Sequence, residues 1–163
     1  MDSLKITYRH LPHWTLDDST YFVTFCTMNG ILSVDEVILT LNHVKIGNDK
    51  YYNLFCAIVM PDHSHIIIKP FPEYSLDRIM KGIKGASARK INIQRNSKGS
   101  IWQDESFDRI IRDQKELEDK ILYMFNNPIK KGLTDNTFHY HEWYLNYDLL
   151  NVSSRKGLSD IYS

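Results

Sequence analysis

Two rhythms of hydrophobic residues run along this chain, one with a period of about 2 and one of about 3.6. Thr20 to Thr27 is a run of β-branched and aromatic residues, stopped by Asn29-Gly30, and predicts a strand. Val34, Val37, Ile38, Leu41 and Val44 then recur at helical spacing and predict a helix over 34–48, closed by Gly47-Asn48. Tyr51 to Met60 is apolar on both faces, which predicts an interior strand. Pro61-Asp62 turns the chain at once, and so short a connection joins antiparallel strands. His63 to Lys69 is therefore the return strand, ended by Pro70 and Pro72.

Ser75 can cap a further helix, whose buried stripe is Leu76, Ile79, Met80, Ile83 and Ala86. Ile101-Trp102 and Phe107 to Ile111 read as short extended pieces, with a fourth strand in one of them. Asp113 and Glu116 resemble a capping box. The helix that follows has Leu117, Ile121, Met124 and Phe125 as its stripe and is expected to end at Asn127, because the residue before Pro128 is pushed out of helical geometry. The opening through His10, Pro12, His13 and Trp14 has no clean period and reads as an arm, and Asp17-Asp18-Ser19 as a turn. Phe138 to Tyr147 is aromatic, and the end, with Ser153-Ser154-Arg155-Lys156-Gly157, is expected to be loosely ordered.

The order strand, helix, hairpin, helix, strand, helix predicts an α+β fold. The nearest named pattern is a ferredoxin-like or RRM-like antiparallel β-sheet with helices packed on one face. The last helix, which bears Tyr123, is expected on the other side of the site. Residues 1–150 form one domain and 151–163 a C-terminal tail.

Composition changes this picture little. Hydrophobic residues make up 42% and charged residues 25% of the chain, ordinary for a folded domain. No apolar run reaches the length of a membrane span, and Met1 to Lys5 does not resemble a signal peptide. Cys26 and Cys56 lie in apolar runs, as free thiols do in a reducing compartment, so a cytoplasmic protein without a membrane partner is expected. Charge does add something. Twenty cations balance twenty anions, yet Arg78, Lys81, Lys84, Arg89, Lys90, Arg95 and Lys98 fall in a stretch to Gln103 with no acid. A local positive field of that kind suits phosphate, although a solvated helix face has the same composition.

The chemistry centres on Val59-Met60-Pro61-Asp62-His63-Ser64-His65. On a strand, His63 and His65 project from one side and Ser64 from the other. Two imidazoles a step apart make half of a divalent metal site. On the last helix, Glu116, Lys120, Tyr123 and Asn127 line one ridge beside the core stripe, and an amide oxygen from Asn127 could complete that site. Two neutral imidazoles and an amide leave Mg²⁺ or Mn²⁺ its full Lewis acidity toward phosphate oxygens. A phenol is a poor nucleophile, but a nearby cation, with Lys120 a turn away, makes the phenolate more accessible. Tyrosine attack on a phosphodiester conserves the bond for rejoining, which suits strand transfer better than hydrolysis.

Taken together, Tyr21 to Phe25, Val59 to His65, Ile101-Trp102-Gln103, Phe107 to Asp113 and Tyr123 to Pro128 resemble the single-tyrosine HUH transposases, and within them the REP-associated tyrosine transposases. The resemblance runs from about Tyr8 to Tyr144. It implies that His63, His65 and Asn127 are metal ligands, that Tyr123 is the nucleophile, and that Mg²⁺ or Mn²⁺ is the cofactor. It also implies a DNA-binding nickase and strand transferase for single-stranded DNA beside hairpins, acting in transposition and recombination through a 5′-phosphotyrosine with a free 3′-hydroxyl. Relatives include dimers that complete the site from two chains, so a homodimer and a single-chain site both stay open.

Two departures stand out. Ser64 occupies a position that is usually hydrophobic, and its hydroxyl is expected to find a backbone partner. The net charge is lower than a DNA enzyme leads one to expect. The phosphate contacts expected are Lys81, Lys84, Arg89, Lys130 and Lys131, with Arg9 in the arm, and Trp102 or Trp143 is a candidate to stack an unpaired base. The competing readings are a non-catalytic nucleic-acid-binding module of RRM-like fold, though no RNP pattern is present, and a metal-dependent hydrolase that needs no Tyr123.

Overall fold

The computed structural model describes residues 4–8, 19–136 and 139–154. In chain order the elements are β1 (Leu4–Tyr8), β2 (Thr20–Cys26), α1 (Val34–Ile46), β3 (Tyr52–Val59), β4 (His63–Pro70), α2 (Leu76–Arg95), β5 (Phe107–Ile111), α3 (Gln114–Lys130), β6 (Trp143–Leu145) and β7 (Leu150–Ser154). Five strands form one antiparallel sheet in the order β5-β2-β4-β3-β6. The histidine strand β4 is thus the central one. None of the described helices is long and apolar enough to cross a membrane.

Side-chain alternation divides the sheet into two apolar faces. Val23, Phe25, Leu54, Ala57, Val59, Ile66 and Ile68 pack on one side with Val37, Leu41 and Val44 of α1 and Ile79, Met80, Ile83 and Ile91 of α2. Phe22, Phe55, Cys56, Ile58 and Ile67 pack on the other with Leu117, Ile121, Met124 and Phe125 of α3. An irregularity in the β3–β4 register between Leu54 and Cys56 puts Phe55 and Cys56 on the same side. α1 and α2 hold one face, as expected, and α3 covers the opposite one.

Several element ends differ from the sequence reading. Leu4–Tyr8 is a strand, paired antiparallel with Leu150–Ser154 in a separate two-stranded ribbon. Each segment alternates apolar and polar residues over only a few positions, and its partner lies almost the whole chain away. Of the expected turn, Asp17 and Asp18 lie outside the described residues. Val34 and Ile38 of the α1 stripe are exposed. α3 passes Asn127 and ends at Lys130 with Pro128 inside it. The ring removes one amide hydrogen there, but Lys131, Gly132 and Leu133 still donate to Asn127, Ile129 and Pro128 carbonyls, which closes the last turn.

The helix starts follow local chemistry. Ser33 and Glu36 cap α1 reciprocally, and Ser75 caps α2 by accepting from the Arg78 N–H. Asp113 accepts from the Glu116 N–H at 2.8 Å. The Glu116 carboxylate does not complete a capping box with Asp113. It accepts from Arg109 Nε at 2.8 Å and the Arg112 N–H at 3.1 Å, tying the start of α3 to β5. Ser64 is fully buried, and among the described residues its hydroxyl has no partner. The expected backbone bond is missing because Ser64 points into the apolar face occupied by its register partners Phe25 and Val59, while the strand carbonyls are used in the ladder.

Candidate active site

Register decides which side chains meet. In the β2–β4 pair, Thr24 stands opposite His65 and Cys26 opposite His63. Residues opposite one another share a face, and Phe22 and Ile67, one alternation further along, belong to the cluster beneath α3. Both imidazoles therefore rise on the α3 side, with ring centroids 4.8 Å apart.

His65 is 4% exposed. Its Nδ1 lies 2.7 Å from Thr24 Oγ1, and its ring stacks on Phe22 with centroids 5.2 Å apart. The other nitrogen, Nε2, is buried without a hydrogen-bond partner among the described residues. Such an atom is rare in a folded interior and marks a place where something is missing from the set. With Nδ1–H donating to Thr24, Nε2 presents a bare lone pair. Burial, then the charges of His63 and Lys120, pull the His65 pKa down to about 3, so the ring is neutral near pH 7.

His63 is held from the opposite direction along the chain. Its Nδ1–H donates to Asp62 Oδ1 at 2.6 Å, and that bond is the main reason the Asp62 carboxyl sits below its ordinary range. Asn127, 3% exposed, places Nδ2 3.3 Å from His63 Nε2. Each imidazole thus has Nδ1 occupied by an oxygen of a supporting residue and Nε2 left for another partner. Metal-binding histidines are oriented in this way, the remote nitrogen fixing the tautomer. A half-turn of the Asn127 amide offers its oxygen in place of its nitrogen. Among the described residues no cluster of three His, Cys, Asp or Glu side chains is placed to hold a metal. A cation here would rest on two imidazoles and an amide, with water or substrate oxygens completing its shell.

Tyr123 reaches the same place from α3, its ring centroid 5.5 Å from His65 and 6.2 Å from Phe22. It is 44% exposed, so a substrate can approach the phenol. One chain brings tyrosine, both histidines and the asparagine together. The buried stripe Leu117, Ile121, Met124 and Phe125 sets the rotation of α3 and turns the Lys120–Tyr123–Asn127 ridge toward β2 and β4. Lys120 Nζ lies 4.9 Å from the Phe22 ring centre and 5.8 Å from that of Tyr123, and Lys130 Nζ lies 5.8 Å from Tyr123.

Residues 33–126 match the family model of IS200-like transposases. The chain belongs to this family. A Haemophilus influenzae protein assigned by inference to the REP-associated tyrosine transposases is 26% identical over an alignment of 88 positions, with 47% of this chain and 49% of that protein covered. The match thus spans about half the length of this relative. In fold, the chain resembles a REP-associated tyrosine transposase solved bound to a REP hairpin, with a TM-score of 0.64 and 18% identity over 81% of this chain and 79% of that one.

The other candidate residues lie elsewhere. Lys81, Lys84 and Arg89 stand on α2, across the sheet from Tyr123. Lys81 pairs with Asp77 at 3.1 Å. Lys84 is half-buried and donates to the Asp104 carbonyl at 3.0 Å and Ser106 Oγ at 3.1 Å. Arg89 is exposed beside the loop 96–99. Lys131 is exposed at the end of α3. Trp102 is buried, edge-on to Phe25, with its indole N–H donating to Ser87 Oγ at 2.9 Å. It is a core residue with no free face for a base, which corrects the stacking role expected of it. Trp143 is half-buried against Phe125, and Arg9 lies outside the described residues.

Sequence reasoning missed Thr24, Asp62 and Phe22, which orient the two imidazoles. Asp62 carried a usable signal, being adjacent to His63. Thr24 and Phe22 carried none until the β2–β4 register was known.

Proposed function

We propose that this transposase is a metal-dependent nickase and strand transferase for single-stranded DNA, with Tyr123 as nucleophile and His63, His65 and Asn127 as ligands of Mg²⁺ or Mn²⁺. The observation that carries the reading is the meeting of an exposed phenol with the two imidazoles, one of which keeps a buried nitrogen without a partner. When bound, the cation supplies Lewis-acid polarisation of a phosphoryl oxygen. The chain's own residues do the rest. Thr24 and Asp62 hold the imidazole tautomers, Phe22 fixes the His65 ring, and α3 presents the phenol from a rigid element. The Tyr123 oxygen bonds to phosphorus as the bond to the 3′-oxygen breaks. The phenol loses its proton, and the departing oxygen takes one up to become a 3′-hydroxyl. The product is a 5′-phosphotyrosine, which a second 3′-hydroxyl can reverse by the same route.

A base-reading module on an open sheet is less well supported, since α3 covers the face that such a module would use. A hairpin-flanked DNA substrate is part of the proposal and agrees with the hairpin bound by the neighbour of similar fold. The test is incubation with a 3′-labelled single-stranded oligonucleotide and Mn²⁺. A labelled protein band that survives denaturation is expected, lost on chelation and in Tyr123→Phe, with DNA binding retained. Free cleaved ends without an adduct would identify a hydrolase, and an adduct persisting in Tyr123→Phe would remove Tyr123 from its role.

A further inference from the structure

The cations most visible in the sequence are those of α2, but three of them, Lys81, Lys84 and Arg95, are engaged by their surroundings. The groove of about 760 Å³ beside α2 is lined by Lys81 and Lys84, and also by Asp77, Asp104, Glu105 and Asp108. Lys81 is paired with Asp77, Lys84 is taken up by a carbonyl and a hydroxyl, and Arg95 is bound to Glu36. A phosphate backbone entering there would meet more carboxylates than free ammonium groups.

α3 is the opposite case. Among the described residues Lys120 and Lys130 make no ion pair, and both ammonium groups rest on aromatic rings instead. A cation over a ring keeps its whole charge, because the ring offers only a quadrupole. The nearby carboxylates are engaged elsewhere: Glu116 with Arg109, Asp119 with Lys115, and Asp62 with His63. Lys130 sits in the last turn of α3, where a cation also complements the helix dipole. Lys120 lies mid-helix and has no such explanation. The two lysines reach the Tyr123 ring from about one turn before it and two turns after it.

We infer that Lys120 and Lys130 are the phosphate clamp of the site, and that single-stranded DNA runs alongside α3 with its backbone held on each side of the bond facing Tyr123. The inference rests on the function proposed above and adds the path of the strand and the residues that hold it. Phosphate binds an ammonium more strongly than a ring face does, so the lysines move from ring to backbone as DNA arrives. The α2 face then contributes nothing to the strand at the cleavage point.

The experiment uses the full chain carrying Tyr123→Phe, so that no turnover occurs, and a fluorescein-labelled single-stranded oligonucleotide titrated by anisotropy over a series of salt concentrations. Lys120→Gln and Lys130→Gln are each expected to reduce the slope of log affinity against log salt by about 0.7, the value for one phosphate contact on a single strand. Lys120→Arg should restore it, while Lys81→Gln and Arg89→Gln leave it unchanged. Unchanged slopes in both α3 variants, or an equal loss in Lys81→Gln, would overturn the assignment while leaving the proposed chemistry standing. Absence of any binding by the parent would overturn both.

Discussion

α2 and α3 are both amphipathic, both carry lysines beside an apolar stripe, and they lie on opposite faces of the same sheet. α2 has the more basic composition, yet Lys81 and Arg95 end in ion pairs and Lys84 on a carbonyl in a groove rimmed with acids. α3 is richer in acids, yet those acids are bound to neighbours and leave two lysines on bare aromatic faces beside an exposed tyrosine. Charge counted along a chain is therefore a poor guide to charge presented at a surface. Some of the partners that cancel it arrive from other elements, as Glu36 of α1 does for Arg95, and Coulomb interactions depend on distance in space.

If the α3 face works and the α1–α2 face supports, substitutions should divide the same way. The largest effect is expected at Thr24→Val, which keeps the shape and removes the oxygen at His65 Nδ1. Loss of such a supporting bond typically lowers metal affinity by about 10–100-fold. Mn²⁺ titration by calorimetry should show that drop with an unchanged thermal transition, and Thr24→Ser should recover it. An undiminished affinity would mean that the Thr24 bond does not orient the ring for metal.

Glu36→Gln, on the other face, should act on stability alone. Glu36 joins α1 to α2 through Arg95 at 2.5 and 2.8 Å. The hydrogen bonds from Arg95 are the first cause of its lowered pKa. The carboxyl is easier to ionise in the folded state, so its stabilisation is present above the unfolded value of about 4.5 and is lost as pH falls through the lower folded value. The variant should be about 1–3 kcal/mol less stable at pH 7 and show a flatter decline of the urea midpoint below pH 4.5, with adduct formation intact. Equal pH slopes in the two proteins would detach the acid sensitivity from this pair.

Ser64→Ala is the smallest of the three. Removing a buried hydroxyl that has no partner should raise stability by about 1 kcal/mol, a rise in Tm of about 2–4 °C for a domain of this size. A lower Tm would show that the hydroxyl is bonded after all. Since Ser64 faces α1 and α2, Mn²⁺ affinity is expected to stay put. A change there would show that the two faces communicate through β4.

Much of this protein is fixed by local chemistry, and that part was readable in order. The period-2 and period-3.6 runs specified β2, β3, β4 and the three helices, because each buries a stripe that its own spacing defines. Pro61-Asp62 determined the hairpin, strand parity determined that His63 and His65 share a side, and helical spacing put Tyr123 and Asn127 on one ridge. Tertiary structure decided everything that needs two distant segments to meet. Leu4–Tyr8 and Leu150–Ser154 each alternate briefly, but nothing in either segment names the other as its partner. Trp102 went to the core because Ser87 and Phe25 were waiting for it there, and Lys84 of the basic helix was taken up by the Asp104 carbonyl in the loop before β5. Thr24 came to His65 through a register that only the assembled sheet sets, since a slip of one residue would have turned Thr24 to the far face.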